Sequence, residues 1–278
     1  MMLPVVSNTE IAPNIFEIVI ENPLLAKKAE AGHFVIVMTQ PDAERIPLTI
    51  ADFDADAGTI TMIAAACGTS TKKLAALKAG QSLYAMIGPL GHPSEMLHYG
   101  TVVLVAGGVG TAPVYPIARA LHNFGNHVIT IQGSRSEELL FWREKTAAVS
   151  HEHIITTDDG SAGIKALVTE PLRDILEKRK SEIGCVYMIG PAVMMKFCAK
   201  TVIPFGVKAL ASLNSIMIDG TGMCGCCRVR VGSETKFTCV DGPEFDASLV
   251  DWDILLARQK MYCEEELCSL KHYLASQE

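Results

Sequence analysis

Between Ile15 and Gly91 apolar and polar positions alternate in short runs. "IFEIVIEN", "HFVIVMTQ", "RIPLTIADFD", "GTITMIAAAC" and "QSLYAMIGPLG" are rich in β-branched residues and are parted by Gly, Asp, Asn or Pro. A period of two between turn formers predicts strands, and this many in succession predict a small antiparallel β barrel over residues 1–98. One segment breaks the period. "STKKLAALKAG" has a hydroxyl cap, good helix formers and a closing glycine, and predicts a helix.

At Tyr99–Gly100 the pattern changes. "GTVVLVAGGVGTAPVYPIARALHNFG" is a continuous apolar strand, a glycine turn and an amphipathic helix. "NHVITIQGSRS", "EELLFWREKTAAVS", "HIITTDDGSAG", "LVTEPLRDILEKRK" and "GCVYMIGPAVMMKFCAKTVI" continue the alternation of strand and helix. Uniformly apolar strands between helices predict an α/β domain, a parallel sheet covered on both faces, over residues 99–211. Residues 212–278 form a third, smaller unit. It comprises a cysteine-rich segment and a helical tail from Asp251 that offers an amphipathic docking surface.

Composition narrows the function. Hydrophobic residues make up 49% of the 278 and charged ones 20%, the balance of a globular protein with ample core. A net charge of −7 without a basic run argues against nucleic acid. The apolar runs are too short to span a bilayer, and "MMLPVVSNTE" lacks the features of a signal peptide. Nine cysteines without a secretion signal point to a reducing, cytoplasmic setting, where clustered thiols bind metal more often than they pair. No G-x-S-x-G, H-E-x-x-H or triad is present, so no catalytic acid, base or nucleophile is assigned. His92, His122, His151 and His153 read as surface or structural residues.

Two motifs carry chemistry. Gly107, Gly108 and Gly110, followed by Thr111, lie between the first strand and first helix of the second domain. Backbone N–H groups there can approach a pyrophosphate, with the helix N-terminus adding its positive end. The spacing is G-G-x-G rather than G-x-G-x-x-G, and a turn kept tight for packing is the competing reading. The second motif is "DGTGMCGCCRVRVGSETKFTC". Cys224, Cys227 and the more distant Cys239 match the last three positions of the plant-type 2Fe–2S pattern C-x4-C-x2-C…C. Asp219 stands where the first cysteine belongs, and Cys226 is left spare. Zinc held by Cys224, Cys227, Cys239 and either Asp219 or Cys226 is the inorganic alternative. It would make the chain a redox-inactive binding module.

A barrel followed by such a domain resembles the ferredoxin–NADP reductase superfamily. "RIPLTIAD" resembles that family's element on the flavin-facing strand, with Pro47 and Leu48 beside the isoalloxazine and Thr49 in the place of its serine. The tyrosine common in the wider family is missing. "MIAAACGTSTKKL" resembles the next element, so that Ile63, Ala64 and Ala65 line the ribityl chain and Gly68, Ser70 and Thr71 meet the FAD pyrophosphate. The resemblance also places Asp158 or Asp159 of "TDDGSAG" at the ribose or adenine of the nucleotide, and Gly190 of "IGPAVMMK" in the wall beneath the nicotinamide. Arg135 permits NADP, whereas Glu137 and Glu138 would repel its extra charge; the family precedent favours NAD(H).

"MCGCCRVRV…FTCVDGPEFDA" resembles the cluster domain of dihydroorotate dehydrogenase electron-transfer subunits, which carry four cysteines. With Asp219 in the first position, the chain is more similar to the small subunits of electron-bifurcating NADH-dependent reduced ferredoxin:NADP oxidoreductases and related sulfide dehydrogenase subunits. That resemblance implies hydride exchange between NAD(H) and FAD and relay of single electrons through a 2Fe–2S cluster. It further implies a larger iron–sulfur flavoprotein partner that binds NADP(H) and ferredoxin.

Overall fold

In the computed structural model, which describes residues 3–277, the N-terminal part is built from eight strands. They are β1 (Leu3–Ala12), β2 (Ile15–Glu21), β3 (Phe34–Met38), β4 (Ile46–Thr49), β5 (Asp52–Asp54), β6 (Thr59–Ala65), β7 (Ser82–Leu83) and β8 (Ala85–Leu90). A five-stranded antiparallel sheet, ordered β5-β6-β2-β1-β7, closes over a three-stranded one, β4-β3-β8. Alternation does the sorting. Ile60, Met62 and Ala64 of β6 join Ile18, Ile20, Val35 and Val37 in the barrel core, while Thr59 and Thr61 stay partly exposed. Short helices α1 (Pro23–Ala26) and α2 (Thr69–Ala75) plug the barrel, Leu74 of α2 being fully buried.

The second part contains β9 (Thr101–Gly107), α3 (Thr111–Asn123), β10 (His127–Ser134), α4 (Arg143–Ala147), β11 (Glu152–Thr157), β12 (Ile164–Lys165), α5 (Thr169–Arg179), β13 (Ile183–Ile189), α6 (Ala192–Val202) and β14 (Lys208–Ser212). Every residue of β9 is buried, for a simple reason. Val102, Leu104 and Ala106 pack against α3, whereas Val103 and Val105 face α5 and α6 on the other side. A strand covered on both faces has no polar position to offer. Parallel pairing in the order β12-β11-β10-β9-β13-β14 puts the reversal of strand order at β9 and β13. The crevice beyond the carboxyl ends of those two strands is where open sheets of this kind receive ligands.

One element departs from expectation here. "EELLFWREKTAAVS" forms a 3-10 turn, Glu137–Leu139, and the five-residue α4, with Trp142 between them in a left-handed conformation (φ 53°).

The cysteine-rich segment is stitched into the rest of the molecule. β15 (Arg228–Val231) and β16 (Glu234–Phe237) form a hairpin, α7 (Thr238–Asp241) follows, and β17 (Glu244–Asp246) pairs antiparallel with β14 at the edge of the parallel sheet. The tail divides into α8 (Trp252–Arg258) and α9 (Cys263–Ala275). Asp251 caps α8 by accepting from the Ile254 N–H at 3.0 Å, and Trp252 and Leu255 enter the core of the parallel-sheet domain. α9 instead lies across α2, with the Ser269 hydroxyl 3.0 Å from that of Thr69. No helix among the described residues is long and apolar enough to cross a membrane.

Candidate functional site

A cleft of about 1310 Å³ opens at the carboxyl ends of β9 and β13, with the barrel as its opposite wall. Gly107 and Gly108 form its floor, Pro191 and Met194 one side, and Ala65, Ala66 and Cys67 the barrel side. Each glycine is needed for a different reason. Gly108 has a positive φ of 54° and open space where a side chain would stand. A Cβ on Gly107 would run into the thioether of Met194, and one on Gly110 into the Ile189 carbonyl. Gly190 faces Gly107 closely: a Cβ there would lie 3.0 Å from the Gly107 carbonyl oxygen. Thr111 is buried at the first position of α3.

Asp158 and Asp159 reach the same cleft from the turn after β11. That turn is tied to the end of β10, with the Asp158 N–H donating to the Ser134 carbonyl at 3.1 Å and the Asp159 N–H to the Arg135 carbonyl at 3.2 Å. Hydrogen bonds from the Ser161 hydroxyl and N–H hold the Asp159 carboxyl below its usual range. Three cations also border the cleft, Lys72 of α2, Arg135 and Arg173 of α5. Lys72 and Arg173 escaped the sequence reading, because a basic residue on a short polar helix face looks like ordinary solvated surface.

The residues expected at the flavin lie on two strands and one helix start. Pro47, Leu48 and Thr49 are half-buried on β4 and pair with Ile36, Val35 and Phe34 of β3. On β6 the period of two separates the expected trio. Ala64 faces the barrel core, Ile63 is buried in the seam between the two domains, and Ala65 lines the cleft. At the start of α2, Thr71 Oγ1 accepts from the Gly68 N–H at 3.0 Å, and the Ser70 hydroxyl donates to Glu44 at 2.5 Å. Both side chains are thus occupied within the protein, which leaves the backbone N–H groups of the helix start as the free donors there.

The sulfur-rich loop rests on the outer face of the three-stranded sheet. Cys227 and Cys239 are buried with Phe34 and Ile36 of β3 and Met217, and their thiols are 3.1 Å apart. All nine cysteines are free thiols. Burial first, then the Cys227 thiol beside it, pushes the Cys239 thiol up to about 12. Cys224 is exposed further along the loop, and Cys226 is half-buried with its carbonyl accepting from Arg258 at 3.0 Å. Asp219 accepts at 2.8 Å from the N–H of Thr221 and, through its other oxygen, at 2.8 Å from the N–H of Cys224. Among the described residues no three of these donors converge on one point as they stand.

The loop nevertheless fits a thiolate-bound cluster. Gly220, Gly222 and Gly225 all have positive φ, which curls the backbone around the cysteines. Two buried thiols this close form a good ligand pair once a cation displaces their protons. Each Asp219 oxygen keeps a second acceptor site beyond its backbone bond.

An antiparallel barrel, a parallel sheet with its glycine turn at the switch point and a cysteine loop together define an oxidoreductase of the ferredoxin–NADP reductase type. Residues 104–200 match the oxidoreductase NAD-binding domain, and residues 214–251 the iron–sulfur cluster binding domain of dihydroorotate dehydrogenase B. The chain belongs to the family of dihydroorotate dehydrogenase B electron-transfer subunits and their homologues. It is 43% identical over 270 residues to the Thermotoga maritima dihydroorotate dehydrogenase B (NAD(+)) electron transfer subunit homolog, covering 97% of this chain and 95% of that one. The Bacillus mycoides electron transfer subunit is 33% identical, over 87% of this chain and 94% of that protein. Among solved structures, a chain of an NADH-dependent reduced ferredoxin-NADP oxidoreductase, solved for insight into flavin-based electron bifurcation, superposes with a TM-score of 0.93. It is 41% identical, with 99% of this chain and 98% of that chain covered. Phthalate dioxygenase reductase, at 16% identity and a TM-score of 0.60, shares the fold.

Proposed function

We propose that the chain is the NADH-oxidising subunit of a flavin-based electron-bifurcating NADH-dependent ferredoxin:NADP oxidoreductase. The observation that carries this reading is the position of the sulfur loop. Cys227 and Cys239 share a core with Phe34 and Ile36, whose neighbours in register are Thr49 and Pro47 of the strand assigned to the flavin. One strand spacing, about 4.8 Å, separates β3, on which the cysteines pack, from β4.

In this reading Pro47, Leu48 and Thr49 lie beside the isoalloxazine, and the backbone of β6 at Ile63, Ala64 and Ala65 follows the ribityl chain. The start of α2, Gly68 to Thr71, receives the FAD pyrophosphate with the N–H groups that follow Gly68, whose own N–H is taken by Thr71. Gly107, Gly108, Gly110 and Thr111 seat the nucleotide pyrophosphate of NAD(H), helped by the Lys72, Arg135 and Arg173 cations at the rim. Asp158 or Asp159 meets the ribose or adenine, and Gly190 keeps the floor beneath the nicotinamide free of a side chain. Asp219, Cys224, Cys227 and Cys239 hold the 2Fe–2S cluster. When bound, FAD accepts a hydride from NADH and releases electrons singly, and the cluster carries single electrons onward. The protein's part is to stack, orient and shield, which explains why no acid or base constellation is needed.

The partner is a larger iron–sulfur flavoprotein with sites for NADP(H) and ferredoxin, in a reducing cytoplasm that suits nine free cysteines. A dihydroorotate dehydrogenase partner is the second reading, favoured by the match of residues 214–251. Asp219 weighs against it, because that resemblance carries cysteine at the position. Oxidation of dihydroorotate by the natural partner would support the second reading over the first.

The test begins with the isolated chain. Reconstituted with FAD, it should bind about one flavin, and NADH should bleach it faster than NADPH. A preference for NADPH would overturn the NAD(H) assignment, and failure to bind FAD would overturn the flavoprotein reading.

A further inference from the structure

Between the barrel and the parallel-sheet domain runs a seam with its own small core. Ile15, Ala51 and Ile63 of the barrel meet Val109, Ala112 and Phe141 from the other side. One end of the seam is charged. Asp52, the first residue of β5, accepts from Arg119 Nη1 at 2.7 Å through one oxygen and from Lys145 Nζ at 2.6 Å through the other. Both cations belong to the parallel-sheet domain, on α3 and α4.

Aromatic rings fix the two cations in place. Lys145 Nζ lies 3.9 Å from the centre of the Trp142 ring and 4.5 Å from that of Tyr115, and Arg119 stands 5.2 Å from Tyr115 and 5.4 Å from Phe53. Trp142 reaches back to the barrel, its Nε1 donating to Glu17 of β2 at 2.8 Å. Its left-handed backbone is a conformation that a bulky residue keeps only where its surroundings enforce it. Asp52 is 20% exposed, Arg119 29% and Lys145 34%, so solvent screens this cluster less than an open surface pair.

The position of the clamp gives it meaning. α3 begins at Thr111, directly after the glycine turn, and Arg119 is eight residues on, about 12 Å along the same helix. Asp52 follows Thr49 by three residues. Val109 and Ile15 belong both to the seam and to the lining of the cleft. The strand assigned to the flavin and the helix assigned to the nucleotide are therefore joined at this point. Hydride transfer needs the reacting atoms about 3–3.5 Å apart, and a displacement of about 1 Å can cost two orders of magnitude in rate.

We propose that Asp52 is a positioning residue: by gripping Arg119 and Lys145 together, it sets the angle between the flavin barrel and the nucleotide-binding domain that hydride transfer requires. It does so without touching either cofactor. This rests on the function proposed above. Without the carboxylate, the two cations lose the acceptor that bridges them and repel each other across one aromatic pocket, which opens the seam.

The test uses the full chain loaded with FAD and cluster, carrying Asp52→Asn or Asp52→Glu. In Asp52→Asn, FAD content and the Kd for NADH should stay within about twofold, while the single-turnover rate of flavin reduction falls about 10- to 100-fold. Asp52→Glu, which keeps the charge, should recover most of that rate. A second readout needs no cofactor. In FAD-free protein with Trp252→Phe as background, Asp52→Asn should shift the emission of Trp142 as Lys145 leaves its ring. Unchanged flavin reduction together with unchanged Trp142 emission would overturn the proposal. So would equal losses in Asp52→Asn and Asp52→Glu, which would make the residue merely structural. If wild-type flavin is not reduced by NADH at all, the proposed function fails, and the emission shift still reports on the clamp.

Discussion

Cys239→Ala is expected to abolish the 2Fe–2S cluster, taking iron content to near zero while FAD remains bound. The thiol is buried against Cys227, in the core that the sulfur loop forms with Phe34 and Ile36. Cys224→Ala and Cys227→Ala should do the same. The first ligand position is the sharper case, because the structure gives Asp219 a second role. Its oxygens hold the N–H groups of Thr221 and Cys224, so Asp219→Ala would loosen the loop as well as remove a ligand. Two further substitutions separate those roles. Asp219→Cys restores the plant-type ligand and should keep iron with a shifted potential, thiolate being the softer donor. Asp219→Asn keeps one acceptor oxygen, enough for the Thr221 N–H, gives up the bond from the Cys224 N–H together with the charge, and should lose the cluster. Cys226→Ser should change little. Iron analysis and reduced-state electron paramagnetic resonance check all of these. A cluster intact in Asp219→Asn but lost in Cys226→Ser would make Asp219 a turn residue and Cys226 the fourth ligand.

Gly110→Ala is the second substitution with a large expected effect. The added methyl meets the backbone carbonyl of Ile189 at the crossing of the glycine turn and β13, and backbone there cannot yield. Overpacking of this kind should destabilise the parallel-sheet domain by about 3 kcal/mol and abolish NADH binding. Gly107→Ala, only one strand-end away, should be far milder. Its methyl meets the sulfur of the flexible Met194 side chain, which can swing aside, and is otherwise 3.2 Å from Pro191 Cδ, a contact relieved by a shift of a few tenths of an ångström. Gly108→Ala falls between them, costing about 1–2 kcal/mol for an alanine at φ 54°. Denaturant melts of the three variants beside NADH titrations would establish the order. Equal stability of Gly110→Ala and Gly107→Ala would contradict the packing argument.

The sequence made the parallel-sheet domain legible because burial on both faces leaves an unmistakable apolar run, as in β9. The barrel was less legible. β1 went unread because its burial does not alternate and its pairing with β2 slips between Val5 and Ser7 and again between Glu10 and Ala12. "RIPLTIADFD" read as one strand, yet β4 and β5 lie in different sheets. The helix expected over "EELLFWREKTAAVS" breaks at Trp142, which turns to bond Glu17 at a separation of 125 residues. No local pattern encodes such a contact.

The site divides in the same way. Glycine and cysteine announce themselves by type and spacing, so the nucleotide turn and the sulfur loop could be found by counting. Asp52, Lys72 and Arg173 could not. Their chemistry depends on partners that only the fold supplies, such as Arg119 and Lys145 at 67 and 93 residues from Asp52. The approach of Cys227 and Cys239 to the strand paired with β4 was likewise invisible, although it is what links the two proposed redox centres.

That link is open to a single direct measurement. Anaerobic titration of the FAD- and cluster-loaded chain with NADH, followed by electron paramagnetic resonance, reports whether electrons entering at the cleft reach the sulfur loop. The account predicts a reduced 2Fe–2S signal in the wild type that grows with added NADH, and flavin bleaching without that signal in Cys239→Ala. A wild-type cluster that dithionite reduces but NADH leaves oxidised, after the flavin has bleached, would contradict it.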